Sequence, residues 1–143
     1  MRRRKARELA LRILYQGETN RDDPESALNK YCEVFPYQQD IIDYARRLLS
    51  GIKQHQDMID TKMAASCEHW RLDRITYVDR NILRVGIYEM LFVPDVPPKV
   101  SIDEAIELGK KYGNEDSRAF INGVLDKVMR EYYGQEDRVK SEK

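Results

Sequence analysis

The chain has 143 residues, 35% of them charged and 41% hydrophobic, and its 25 Lys and Arg balance its 25 Asp and Glu. This length suits one domain with a real core, and a membrane-spanning helix is excluded because the longest apolar run, residues 90–93, is far too short. The basic N-terminus lacks the apolar segment of a secretory signal. The two cysteines are distant and form no CxxC motif, so we expect a cytoplasmic protein.

The positive charges are concentrated at the start of the chain. Residues 1–15 contain six cations against one anion, so this segment carries +5 and the rest carries −5. Such polarity suggests contact with nucleic acid or another acidic surface, although a solvated arm is an equally common explanation. Apolar residues repeat at helical spacing from Ala6 to Gly17, so we predict that the cations begin an amphipathic helix. Because cations at a helix N-terminus oppose the helix dipole, this placement favours a functional reason for them.

Further helices are predicted in chain order. Asp23 and Pro24 are typical of a helix start, and Pro36 closes that helix. Apolar residues at helical spacing predict a third helix around residues 41–52 and a fourth that includes residues 58–63 and ends near residues 67–72. Residues 78–93 are apolar on most of the helix circumference, which predicts a central buried helix in which Gly86 requires a closely packed neighbour.

Two more helices follow a proline-rich turn at residues 94–98. Ser101 and Glu104 form a capping-box pattern that predicts the start of the sixth helix, and Gly113 fits its end. The seventh helix contains Phe120 and is predicted to end at Gly134. Since no segment alternates as a strand does, we predict a single all-α domain of about seven helices over residues 1–134. A disordered polar tail is predicted over residues 135–143.

No constellation of residues indicates catalysis. The chain lacks glycine-rich phosphate loops, the HExxH metal motif and the GxSxG nucleophile motif. His55 and His69 lie near predicted helix ends, and Cys67 with His69 supplies too few ligands for a zinc site. We therefore predict a protein that is not an enzyme and that has no metal and no cofactor.

Four segments occur together in a characteristic order. They are RRRKARELA from Arg2, VDRNILR from Val78 with Tyr88 and Glu89 after it, VSIDEAIELGKK from Val100, and EDSxxFINGVLDK from Glu115. This ordered set resembles the NusB family of bacterial transcription antitermination factors, from about Arg2 to about Tyr133. The resemblance implies an all-helical fold of two small packed bundles and no catalytic activity.

The resemblance also implies specific partners. They are the single-stranded boxA segment of nascent ribosomal RNA leaders, the ribosomal protein that doubles as NusE, and the antitermination complex on RNA polymerase. By position, the RNA-binding residues would be Arg2, Arg3, Arg4, Lys5 and Arg7, with Asp116 and Phe120 close to the RNA. Tyr15 and Asp79 resemble the contacts to NusE, and Arg80 is a neighbouring candidate. The Asp79 position can hold glutamate in relatives, and the shorter side chain makes this contact the less certain of the two.

Several of these residues also have ordinary structural explanations. Asp116 would favour the dipole of the last helix, and Asp79 that of the central helix. Phe120 fits the core by periodicity, with RNA stacking as the less favoured alternative. Tyr15 could either anchor an interface or pack with only its hydroxyl at the surface.

Two other functions stay open at the level of sequence. The chain could be the recognition half of a ribosomal RNA cytosine methyltransferase, although it contains no cofactor-binding glycine motif. It could also be a helical adaptor that binds protein through its acidic body, with the basic arm serving solubility. An exposed partner-binding face would allow a homodimer of the isolated protein, and no membrane contact is predicted.

Overall fold

A computed structural model of the chain describes residues 2–67 and 75–141, giving only the backbone for residues 19, 20 and 134–141. These ranges contain helices and no strand, which confirms the predicted all-α class. None of the described helices is long and apolar enough to cross a membrane. The helices are α1 (Arg2–Asn20), α2 (Pro24–Val34), α3 (Gln39–Gln54), α4 (Gln56–Ser66), α5 (Tyr77–Phe92), α6 (Pro98–Tyr112) and α7 (Ser117–Ser141).

The helices form two groups that meet at α5. Helices α1, α2 and α3 contact one another, while α5, α6 and α7 form the second group with α4 against α5 and α7. Helix α5 also contacts α1 and α3, and most of its residues are buried, so the predicted central helix is confirmed. A Cβ on Gly86 would lie 2.9 Å from Leu125 Cδ1 and 3.6 Å from Ala105 Cβ. The predicted close packing at Gly86 is therefore confirmed.

The apolar face of α1 is buried as its spacing predicts. Ala6, Leu9, Ala10 and Ile13 are almost completely inaccessible. This face packs against α2, α3 and α5. Because burial of an apolar helix face is the main source of helix stability in a protein, the basic start of α1 is fixed to the body. It is not a free tail.

One predicted helix start is confirmed and another is wrong. The Asp23 carboxylate caps α2 by accepting a hydrogen bond from the Ser26 backbone N at 3.2 Å, as predicted. Helix α6 begins at Pro98, and Ser101 lies inside it with no hydrogen-bond partner for its hydroxyl among the described residues. The fixed φ of proline suits the first helical position, and this signal prevails over the capping-box pattern.

The predicted end of the last helix at Gly134 is also wrong. Helix α7 continues to Ser141, so residues 135–141 are helical where the sequence predicts disorder. One glycine costs a helix only about 1 kcal/mol, and most of the residues after Gly134 are good helix formers. The domain boundary at residue 134 stays a prediction.

Candidate nucleic-acid and protein interfaces

The start of α1 presents a row of cations at the surface. Arg2, Arg4 and Lys5 are exposed, and Arg3 is partly exposed. They stand on a helix whose other face is buried, so their backbone positions are fixed by the core. We call these four residues the basic arm.

Three residues of the basic arm pair with carboxylates on other elements. The pairs are Arg2–Asp40 at 2.7 Å, Arg3–Asp95 at 2.9 Å and Arg4–Glu104 at 2.9 Å. Hydrogen bonds from the guanidinium groups hold the pKa values of all three carboxyls below their usual range. These pairs offset the unfavourable placement of positive charge at a helix N-terminus. The acidic body of the protein thus partly neutralises its basic start.

Arg7 lies inside the protein, although the resemblance assigns it to RNA. It is 5% exposed, and its Nε lies 2.8 Å from Oε2 of Glu89. Glu89 is also buried and accepts a hydrogen bond from the Tyr44 hydroxyl, and Glu104 Oε2 lies 3.6 Å from Arg7 Nη1. In this structure the Arg7 guanidinium group contacts the carboxylates of Glu89 and Glu104 and is inaccessible to an RNA strand. The RNA contact of Arg7 stays a prediction.

A groove of about 810 Å³ runs from the basic arm between α6 and α7. Its cations are Arg4, Lys110 and Arg118, and Asn122 adds an amide. Carboxylates line the same groove: Asp103, Glu104, Glu107 and Glu115. The fold therefore brings the arm beside the first turns of α7, near which the resemblance places Asp116 and Phe120 close to RNA.

Asp116 and Phe120 occupy different environments at that end of α7. Asp116 is exposed and immediately precedes the helix, so α7 has no acidic residue in its first turn. The described residues offer its carboxylate no hydrogen bond or ion pair, which leaves it available to a ligand. Phe120 is 5% exposed and belongs to the core, as its periodicity predicts. Its contact with RNA stays a prediction.

A smaller groove of about 390 Å³ exposes aromatic side chains between α1, α5 and α6. Tyr15 is 49% exposed there, which favours the interface interpretation over core packing. Val78 from α5 and Tyr112 from α6 line the groove beside it, although the sequence analysis did not select them. The one sequence feature that could have selected Tyr112 for an interface is its position as an aromatic residue on the last turn of a helix. We call this site the tyrosine groove.

Asp79 follows Val78 but faces inward. It is 5% exposed, and its backbone N donates a hydrogen bond to Thr76 Oγ1, which caps α5. Its Oδ1 has no hydrogen-bond partner within the described parts of the chain. Arg80 is partly exposed, and its guanidinium carbon lies 5.7 Å from the centre of the Tyr77 ring. The predicted contacts Tyr15 and Asp79 are therefore neighbours, but Asp79 lies beneath the surface.

Replacing Asp79 with asparagine is expected to stabilise the isolated protein at neutral pH. Burial raises the pKa of the Asp79 carboxyl, and the neighbouring Ser117 opposes this shift only in part. The folded state thus binds this proton more tightly than the unfolded chain does. The protonated Asp79 carboxyl therefore contributes stability that is fully present below the pKa of the unfolded chain, about 4. This contribution is lost as the pH rises through the pKa of the folded protein. Urea unfolding of both proteins at acidic and neutral pH measures the difference.

Asp57→Asn is the matched control for this substitution, because Asp57 is an exposed carboxylate in the first turn of α4. It should lose a few tenths of a kcal/mol through the helix dipole alone. If Asp79→Asn lost stability in the same way, the dipole would outweigh burial at Asp79.

No group of three or more His, Cys, Asp or Glu side chains in the described ranges is arranged to hold a metal ion. His55 stacks on Phe92 with a centroid distance of 4.2 Å, and His69 lies outside the described residues. Both described cysteines are free thiols, and burial raises their pKa values. A raised pKa disfavours the reactive thiolate at neutral pH.

Comparison with known proteins supports one family. The NusB family profile matches residues 4–130. The transcription antitermination protein NusB of Myxococcus xanthus is 47% identical over 130 residues, which cover 88% of this chain and 93% of that protein. Its counterpart in Anaeromyxobacter dehalogenans strain 2CP-1 is 48% identical over 128 residues, which cover 89% of each chain.

Solved structures agree with this fold. The NusB structure from T. maritima has a TM-score of 0.82 and 42% identity, and the match covers 90% of this chain and 91% of that one. A structure of antitermination factors NusB and NusE in complex with double-stranded RNA has a TM-score of 0.82 at 29% identity, and the match covers 92% and 98% of the two chains. The match thus spans nearly the whole fold, and the chain belongs to the NusB family.

Proposed function

We propose that this protein is a non-enzymatic transcription antitermination factor of the bacterial cytoplasm. It binds single-stranded boxA RNA of nascent ribosomal transcripts together with NusE, as part of the antitermination complex on RNA polymerase. The observation that carries this proposal is the basic arm, which is anchored by a buried helix face beside a groove that leads to α7. Membership of an antitermination family supports it.

The groove beside the arm suits a single strand of RNA. Single strands are bound by cations that follow the phosphates and by polar groups that contact exposed base edges. Arg2, Arg4 and Lys5 supply cations at one end, while Arg118 and Asn122 line the groove farther along. We propose that the exposed Asp116 carboxylate accepts hydrogen bonds from bases.

The tyrosine groove suits a protein partner. Half-exposed tyrosines are frequent anchors of interfaces because they combine a large apolar surface with a hydroxyl group. Tyr15 and Tyr112 provide two such rings in one groove, and Arg80 adds a cation nearby. We assign this face to NusE and propose self-association through the same face when NusE is absent.

Equilibrium binding to a labelled boxA-like RNA and to a scrambled RNA tests the proposed function. Both RNAs are titrated with this protein alone and with equimolar NusE. We expect a preference for the boxA-like RNA that increases when NusE is present. Binding to neither RNA would favour the helical adaptor, and binding without any effect of NusE would favour the recognition half of a methyltransferase.

Removing one exposed cation should weaken RNA binding independently of sequence. We expect Arg4→Ala to lower affinity for both RNAs and to reduce the slope of log affinity against log salt by about 0.7, the value for one phosphate contact on a single strand. Arg130→Ala is the control, since Arg130 is exposed on α7 and pairs with Asp126 at 2.5 Å. An unchanged slope for Arg4→Ala would count against a role for the arm in RNA binding.

A further inference from the structure

We propose that Asp40, Asp95 and Glu104 are internal competitors for the phosphates of the RNA and set the affinity threshold of the basic arm. This inference rests on the proposed RNA binding and adds its regulation. Each carboxylate holds one arginine that the strand would otherwise engage. RNA then binds by exchange, in which a phosphate replaces a carboxylate on the guanidinium group.

The geometry of the best-aligned pair shows why the exchange is direct. Arg4 donates from Nε and Nη2 to the two carboxylate oxygens of Glu104, both at 2.9 Å. This two-point arrangement is the one by which arginine binds a phosphate. The same donors therefore cannot serve Glu104 and the RNA at once.

The other two pairs are single contacts, and they lie on different elements. Asp40 belongs to α3 and binds Arg2, while Asp95 lies between α5 and α6 and binds Arg3. Arg3 is also held over the Tyr44 ring, with its guanidinium carbon 4.5 Å from the ring centre. Three separate elements thus supply one carboxylate each to three successive arginines. Among the four residues of the arm, Lys5 alone has no ion pair with the described residues.

The small free energy of these ion pairs means that they would weaken RNA binding without preventing it. Each pair has at least one exposed partner, and an ion pair that solvent reaches is worth little, so releasing one arginine should raise RNA affinity only about two- to fivefold. Because the competitors touch phosphate-binding groups and not base-reading groups, the gain should be the same for any RNA sequence. The carboxylates therefore lower the affinity for all RNA equally. Only RNA strands that make further contacts with the protein then stay bound.

A double-mutant cycle on Arg4 and Glu104 tests this inference in the full-length protein. Affinity for a labelled single-stranded RNA is measured for the parent protein, Glu104→Gln, Arg4→Ala and the double variant. We expect Glu104→Gln to bind about two- to fivefold more tightly, and this gain to disappear when Arg4 is alanine. A gain that persisted without Arg4 would reflect the general negative field of Glu104 and would overturn the proposal, as would no gain at all.

Asp103→Asn is the matched control, because Asp103 is exposed in the same groove and makes no ion pair with the described residues. Its effect should be equal with and without Arg4. Glu104 also contacts Arg7 at 3.6 Å, so Asp40→Asn with Arg2→Ala provides a second cycle on a more exposed pair. If Arg4→Ala and Arg2→Ala did not weaken RNA binding in the first place, the role of the arm would fail. If they did and the carboxylate variants gave no gain, only the competition would fail.

Discussion

Replacing Arg7 with alanine is expected to lower the free energy of unfolding by about 3–5 kcal/mol, the usual cost of removing one partner of a buried ion pair. The guanidinium group is the counter-charge of Glu89, which is 1% exposed. Without it, the Glu89 carboxylate is buried with no guanidinium counter-charge, and the Tyr44 hydroxyl is its one hydrogen-bond donor among the described side chains. Because small domains have total stabilities of about 5–15 kcal/mol, the loss is a large share of the whole. Urea unfolding followed by circular dichroism measures it.

Arg2→Ala is the matched control, since it removes an arginine of the same helix from an exposed pair with Asp40. It should leave stability nearly unchanged, because exposed pairs contribute little. The double variant Arg7→Met with Glu89→Gln should recover much of the loss, since it removes both charges and keeps an acceptor for Tyr44. If Arg7→Ala behaved like Arg2→Ala, the buried pair would not hold α1 against α5.

The local elements of this fold are predictable because helical spacing reports which face is buried. The Asp23 cap, the buried face of α1 and the close packing at Gly86 all follow from residues within a few positions of one another. The errors arise where two local signals compete, as Ser101 competes with Pro98 for the start of α6. At this position the fixed φ of Pro98 prevails, and Ser101 lies buried inside the helix that Pro98 begins.

The ion pairs of α1 are not predictable from spacing, because each partner is distant in sequence. Arg4 and Glu104 are 100 residues apart, and Arg7 and Glu89 are 82 apart. A signal for the buried pair does exist. Arg7 lies four residues before buried Leu11, and Glu89 belongs to a helix that is apolar on most of its circumference. Because a buried charge is costly unless it is paired, a cation and an anion on the buried faces of two helices are expected to form an ion pair in the core.

The basic segment at the start of α1 thus contains two kinds of arginine, those at the surface and the buried Arg7. A motif alone groups Arg7 with the cations around it, whereas the structure gives it a structural role between α1 and α5. If the RNA affinity of Arg7→Ala follows its folded fraction, the buried pair with Glu89 accounts for Arg7 without an RNA contact. For Arg4→Ala, affinity should fall while the protein stays folded.

Replacing Tyr15 with aspartate is expected to weaken binding of NusE by at least about thirtyfold, the loss typical of a hot-spot anchor. The substitution removes an aromatic ring from the tyrosine groove and places a charge beside Val78 and Tyr112. A buried charge without a partner is costly at an interface, so the change removes an attractive contact and adds a repulsive one. Isothermal titration calorimetry with purified NusE measures the effect.

Since 49% of Tyr15 is exposed in the isolated protein, its replacement should leave the helical circular dichroism spectrum unchanged. Phe35→Asp is the matched control, because Phe35 is a similarly exposed ring at the end of α2, outside the lining of the tyrosine groove. We expect it to bind NusE normally. Full binding by Tyr15→Asp would exclude the tyrosine groove as the partner site, and a collapsed spectrum would make Tyr15 a structural residue. Loss of binding in a folded Tyr15→Asp protein, with Phe35→Asp unaffected, would place NusE on the face shared by α1, α5 and α6.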